Sequence, residues 1–136
     1  MKKILCLIFI LFACSDKEKS TSGPEPYEQE GMASYYAASL HGKKTASGDF
    51  YSNDSLTAAH NHLPLGTIIK VKNLDNDSVV TVEVNDRGPY VNNRILDLSR
   101  AAAKRLNMMD SGTTKVRLKV LKAAQGYAVN DSTERE

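Results

Sequence analysis

Three short stretches hold the residues able to move protons. The first is HGKKTASGD, His41 to Asp49, a glycine-punctuated loop of hydroxyls, cations and one acid. The second is TAAHNHLPLG, Thr57 to Gly66, which carries His60 and His62 on either side of Asn61. The third is Asn85-Asp86-Arg87-Gly88-Pro89, where an alternating apolar run stops at a carboxylate and a Gly-Pro pair turns the chain away. Aspartate and histidine at strand ends and in loops are the ingredients of acid–base chemistry, because a proton donor must reach its substrate from a rigid base. His60 and His62 also have the same-face spacing of a metal pair on a strand. No third ligand accompanies them, so neither a metal nor a cofactor is expected. Asp86-Arg87 has a plainer reading too, as an ion pair beside an ordinary turn, which is the commoner fate of such an acid.

The elements that must position these residues repeat mostly with a period of two. Val80, Val82 and Val84 alternate with Thr81, Glu83 and Asn85, and Lys115 to Val120 alternates without a break. Thr67 to Lys72 reads as a third strand, joined through the polar turn Asn73–Asp77 to the strand Ser78–Asn85 as a hairpin. Gly31–Ala37 and Ser55–His60 are weaker strand candidates. One segment is helical: Ser99 is placed to cap RAAAKRLNM, with Leu98, Ala102, Leu106 and Met109 on one face and Ser111-Gly112 as the stop. Asp97 is expected to help cap that helix or to tie a loop. Short strands with one short helix predict a mainly β fold, a compact barrel rather than a sandwich.

A chain of 136 residues, 41% hydrophobic and 25% charged, has room for one small domain of ordinary globular composition. It contains no Trp and only 7% aromatic residues, so broad aromatic platforms are scarce. Met1-Lys2-Lys3 followed by ILCLIFILFA has the basic and apolar regions of a secretory leader, too short to span a bilayer. Leu11-Phe12-Ala13-Cys14 resembles a bacterial lipoprotein signal, so residues 1–13 are expected to be removed and Cys14 to carry lipid. Ser15 after the cysteine points to the outer membrane, with the protein facing the periplasm. Cys6 leaves with the leader, so no disulfide is expected. Loss of Lys2 and Lys3 brings the 18 cationic residues level with the 16 acidic ones, which removes the electrostatic support for a nucleic-acid partner. Residues 14–30 read as a flexible tether, residues 31–122 as the folded domain and residues 123–136 as a polar tail.

Five ordered motifs, HGKKTASGD, LTAAHNHLPLGT, VKNLDN, VNDRGPY and RILDLSRAAAKRL, lie between GMASYY and Val116-Arg117-Leu118. Together they resemble the rare lipoprotein A family. The resemblance implies a six-stranded double-psi β-barrel with a substrate groove across one face. It also implies a lytic transglycosylase of the cell wall, cutting within peptidoglycan strands stripped of stem peptides and leaving 1,6-anhydro-N-acetylmuramic acid ends. In such an enzyme one carboxyl group protonates the glycosidic oxygen and then, as a base, helps the muramyl C6 hydroxyl attack C1. That group must hold its proton near neutral pH, which takes a desolvated site or a neighbouring like charge.

Asp86 is the first choice for this role, and the family pattern carries over His60 and Asp49 as its companions. Asp49 stands where the family usually has Glu, one methylene longer; a displacement of about an ångström can lose on the order of a hundredfold in rate. Tyr36, Thr45, Ser47, Arg87 and Tyr90 are expected to bind substrate, with Arg87 orienting loops or sugar rather than doing chemistry. The runner-up expectation is a glycan-binding lipoprotein without catalysis, and a third is a structural envelope lipoprotein. Longer family members carry a C-terminal peptidoglycan-binding domain that recruits them to the division site. No such domain is expected after Lys122.

Overall fold

The computed structural model describes residues 27–124. The leader at residues 1–13, the lipid site Cys14, the tether up to residue 26 and the tail beyond Ala124 lie outside the described residues. Six strands form: β1 (Glu28–Tyr35), β2 (Thr57–Ala59), β3 (Ile68–Asn73), β4 (Val79–Asp86), β5 (Arg94–Leu98) and β6 (Thr114–Lys122). Among the described residues a single α-helix, α1 (Arg100–Arg105), joins β5 to β6. The strands close in the order β1-β5-β2-β4-β3-β6, so none keeps an unpaired edge. The pairs β1–β5 and β2–β4 are parallel and the rest antiparallel.

Alternation does what the sequence predicts. Val80, Val82 and Val84 of β4, Ile69 and Val71 of β3, and Val116 and Leu118 of β6 point inward and are buried. Lys70, Thr81, Glu83, Lys115, Arg117 and Lys119 stay exposed on the outside. The barrel begins earlier than expected. Glu28, Gln29 and Glu30, read as tether, pair with Lys119, Leu118 and Arg117, because β6 offers them a full ladder and Arg117 bonds Glu30 through two nitrogens.

Two elements differ from expectation. Arg94–Leu98 is a strand, with Leu96 and Leu98 fully buried inside the barrel; Leu98 does not belong to a helix face. The helix has its expected cap, Ser99 Oγ accepting from Ala102 N at 3.2 Å, but it ends at Arg105 instead of running to Met108. Asn107 takes a left-handed conformation with φ 51°, which ends the helix well before Ser111-Gly112. The turn then sends Met108 into the core, while Met109 packs only at its edge.

Two register irregularities shape the strand ends. Ala58 pairs with Val84 and Ala59 with Asp86, so Asn85 is passed over; Met32 pairs with Arg94 and Ala33 with Leu96, so Ile95 is passed over. An extra residue in one strand bends it and re-aims the side chains beyond it. At the second irregularity the strands approach closely: a Cβ on Gly31 would stand 2.8 Å from Ile95 Cγ2.

Candidate active site

The bulge at Asn85 shapes the end of β4. Asn85 O accepts from Ser47 N at 3.1 Å, and Asp86 O accepts from His60 N at 3.1 Å. The Asp86 side chain faces an open groove of about 300 Å³. Its Oδ1 accepts from Ala46 N and from its neighbour Arg87 N, both at 2.9 Å, and its Oδ2 from the Tyr36 hydroxyl at 2.5 Å. The Thr45–Asp49 turn delivers the Ala46 N–H. Gly48 turns at φ 92°, Gly48 N bonds Thr45 O, and Thr45 N bonds Asp49 O at 2.7 Å. Tyr36 packs against Tyr51 with ring centroids 4.4 Å apart. Burial first, and the bond to Asp86 second, push the Tyr36 phenol above its ordinary range, so it remains a neutral donor.

A second carboxylate lies in the same groove. Asp97 of β5 accepts from Ser34 Oγ at 2.5 Å and lines the groove with Asp86. It does not cap the helix, since Ser99 does that. Ala59 of β2 pairs with Asp86 on one side and Asp97 on the other. The two aspartates therefore flank one small residue across three strands, with Cα atoms at most about 10 Å apart from strand spacing. Gly88 closes the space between them: it turns at φ 127°, and a Cβ there would meet Ala59 Cβ and Asp97 Oδ2 at 3.9 Å. Asn61 holds that turn in place, accepting from Gly88 N at 3.0 Å and donating to Pro89 O at 2.6 Å.

Of the residues expected at the site, Asp86, Tyr36, Arg87 and Tyr90 line the groove. Tyr90 is 84% exposed at its rim, free to lie against a ligand. Arg87 spends its guanidinium on the carbonyls of His60, at 3.0 Å, and Leu63, at 2.5 Å, so it organises the loop after β2 and makes no ion pair with Asp86. Thr45 and Ser47 brace the turn that supports Asp86, their hydroxyls 2.9 Å apart. Asp49 is exposed and its carboxylate accepts from Ser47 Oγ at 3.2 Å, beside the groove rather than in it.

His60 lies elsewhere. The residue is 1% exposed, and its Nδ1 accepts from His62 N and Leu63 N, both at 3.0 Å. That leaves the proton on Nε2, which donates to Gln29 Oε1 at 2.9 Å. Burial, then the nearby His62 and Arg87, lowers its pKa to about 4. With both nitrogens engaged, the imidazole has no free position for a substrate proton or a metal. Neither His60 nor Asp49 is among the described residues lining the groove, where Asp86 stands with Tyr36, Ser34 and Asp97. The missed residues had one legible signal. RILDL alternates with a period of two, which turns Asp97 outward when Leu96 and Leu98 turn inward.

The arrangement is a carboxyl pair in an open groove, with a hydroxyl donor on each acid and two backbone N–H donors on Asp86. Comparison with known proteins identifies the family of the barrel. A family model described as lytic transglycolase, a double-psi β-barrel, matches residues 28–118. The chain is 56% identical over 92 residues to the endolytic peptidoglycan transglycosylase RlpA of Campylobacter jejuni, a match covering 68% of this chain and 34% of that protein. It is 44% identical over 107 residues to the protein of the same name from Haemophilus influenzae, covering 79% of this chain and 37% of that one. The chain thus spans about a third of the length of these curated relatives. Among solved structures, the Streptomyces papain inhibitor shares the fold at TM-score 0.59 and 23% identity, covering 73% of this chain and 98% of that one. A mutant Clavibacter michiganensis expansin in complex with cellohexaose does so at TM-score 0.55 and 18% identity, covering 71% and 51%. Sequence and barrel lead to the same place: the chain belongs to the lytic transglycolase family.

Proposed function

We propose that this barrel cleaves peptidoglycan glycan strands as a lytic transglycosylase, with Asp86 as the acid and base. The observation that carries the reading is Asp86 itself, fixed at the groove by Ala46 N–H, Arg87 N–H and Tyr36 OH. Backbone N–H groups only donate, so Oδ1 is committed as an acceptor, and Oδ2 is the oxygen that exchanges a proton as Tyr36 OH turns to accept. Asp86 gives that proton to the glycosidic oxygen as the C1–O bond breaks. It then takes the proton of the muramyl C6 hydroxyl as that oxygen bonds to C1, and no water is consumed. Asp97 lines the same groove and supplies a fixed negative charge facing the positive charge that develops at C1.

Digestion of peptide-free strands in H₂¹⁸O tests the chemistry. The reading expects 1,6-anhydro ends without ¹⁸O, whereas a hydrolase would leave reducing ends carrying the label. A second reading, binding without cleavage, is favoured by Asp49, whose carboxylate stops at Ser47 and does not enter the groove. It expects retained strands and no new ends. Lipid on Cys14, as the leader's sequence implies, would tether the barrel to the outer membrane. Loss of membrane association and of palmitate labelling in Cys14→Ser checks that tether.

A further inference from the structure

Four ionic side chains line the groove, Asp86, Asp97, Arg87 and Arg94, and the two arginines are in different states. Arg87 is bound to two carbonyls. Arg94 makes no side-chain hydrogen bond among the described residues. Its only charged partner among them is Asp97, with NH2 3.9 Å from Oδ1, and its Nε is shut off from solvent without an acceptor. A guanidinium carries five N–H donors in a planar fork suited to a carboxylate or phosphate. Turning the Arg94 fork toward a groove ligand therefore breaks no hydrogen bond within the described residues.

Arg94 reaches the groove through the irregularity at Ile95. Strict alternation would put Arg94 and Asp97 on opposite faces of β5, yet both line the groove. The turn before it is fixed by Asn93 at φ 72° and by Arg94 N bonding Val91 O at 3.3 Å. Two aspartates repel an anionic ligand, and Arg94, near Asp97 at 3.9 Å but without a side-chain hydrogen bond among the described residues, is the groove cation able to offset them.

We propose that Arg94 binds the lactyl carboxylate of muramic acid and thereby selects strands from which the stem peptide has been removed, an inference that rests on the glycan-cleaving function proposed for the groove. In a peptide-bearing strand that carboxyl is an amide and carries no charge. Removal of the peptide uncovers a carboxylate on every muramic acid, and a planar cation beside the acid pair distinguishes the two states by the presence or absence of a charge-assisted fork.

The test compares binding of the purified protein to two labelled ligands: peptide-free strands, and the same strands with their lactyl carboxyls converted to methylamides by carbodiimide and methylamine. Wild type is expected to prefer the free carboxylate on the order of tenfold or more. Arg94→Gln, checked for an unchanged melting temperature, should bind both ligands as wild type binds the methylamide. Arg94→Lys, which keeps charge without the fork, should recover part of the preference. A purely structural role for Arg94 would weaken both ligands equally and leave the ratio intact. Equal wild-type binding to the two ligands, or a preference that survives in Arg94→Gln, overturns this inference while leaving the glycan reading standing. Binding to neither overturns both.

Discussion

If His60 is a buried strut, protonating it must destabilise the barrel. Its folded pKa is lowered to about 4 from an ordinary 6.5. Between those values the unfolded chain binds a proton that the folded chain refuses, so stability rises with pH across this window. The contribution is fully present above about pH 6.5 and is lost as pH falls toward 4. From pH 7.5 to 4.5 the loss from His60 is on the order of 2–3 kcal/mol. For a domain of this size that is on the order of 10–20 °C in melting temperature.

His60→Asn removes the titrating group while keeping an oxygen near the place of Nδ1. The variant starts less stable because the link to Gln29 is gone, by about 1–3 kcal/mol. Its stability should then fall roughly 2–3 kcal/mol less than wild type over the same pH interval. Urea unfolding at pH 7.5, 6 and 4.5 measures both slopes, and the ring's own chemical shift against pH gives its pKa directly. Parallel slopes for the two proteins, or an imidazole titrating near 6.5, would refute the strut. So would a variant with undiminished stability that nonetheless loses all turnover, since that is the signature of a histidine touching substrate.

The groove and the barrel wall give further expected outcomes. Tyr36→Phe removes the hydroxyl from Asp86 Oδ2 and should lower turnover about tenfold or more with little change in melting temperature, measured on peptide-free strands. In wild type the raised Tyr36 phenol should add no alkaline limb to the rate profile below about pH 10, the ordinary tyrosine value. Asp97→Asn keeps the Ser34 contact but removes a groove charge, and a rate loss of about 10²-fold is expected in single-turnover product analysis. Gly31→Ala drives a Cβ to 2.8 Å from Ile95 Cγ2, a branched and stiff neighbour. Thermal unfolding should report a loss of about 1–3 kcal/mol.

Much of the barrel was legible because its long strands alternate without interruption. Val80–Val84 and Lys115–Val120 announce themselves by a period of two, and Ser99 announces its helix by its hydroxyl. β5 was hidden because Arg94–Leu98 is short and runs straight into the capped helix, so Leu98 served either reading. Its partners, β1 and β2, are distant in sequence, and only the closed barrel shows that it has them. The same loss hid Asp97, whose direction comes from strand alternation. Asp86 was legible as an acid ending an apolar strand, but the bulge at Asn85 that aims it depends on the β2 register. The burial of His60 was hidden, because a histidine's chemistry is visible in sequence and its burial is not. The backbone N–H groups of His62 and Leu63 that occupy its ring come from a loop whose path no local pattern records.

The most direct measurement counts 1,6-anhydro ends released from peptide-free strands by wild type and by Asp86→Asn, each assayed well below its own melting temperature. Wild type should release them steadily, and the amide variant, folded and still able to bind strands, should release essentially none. An Asp86→Asn protein that matched wild type in product yield would place the proton transfer on another group and contradict the account at its centre.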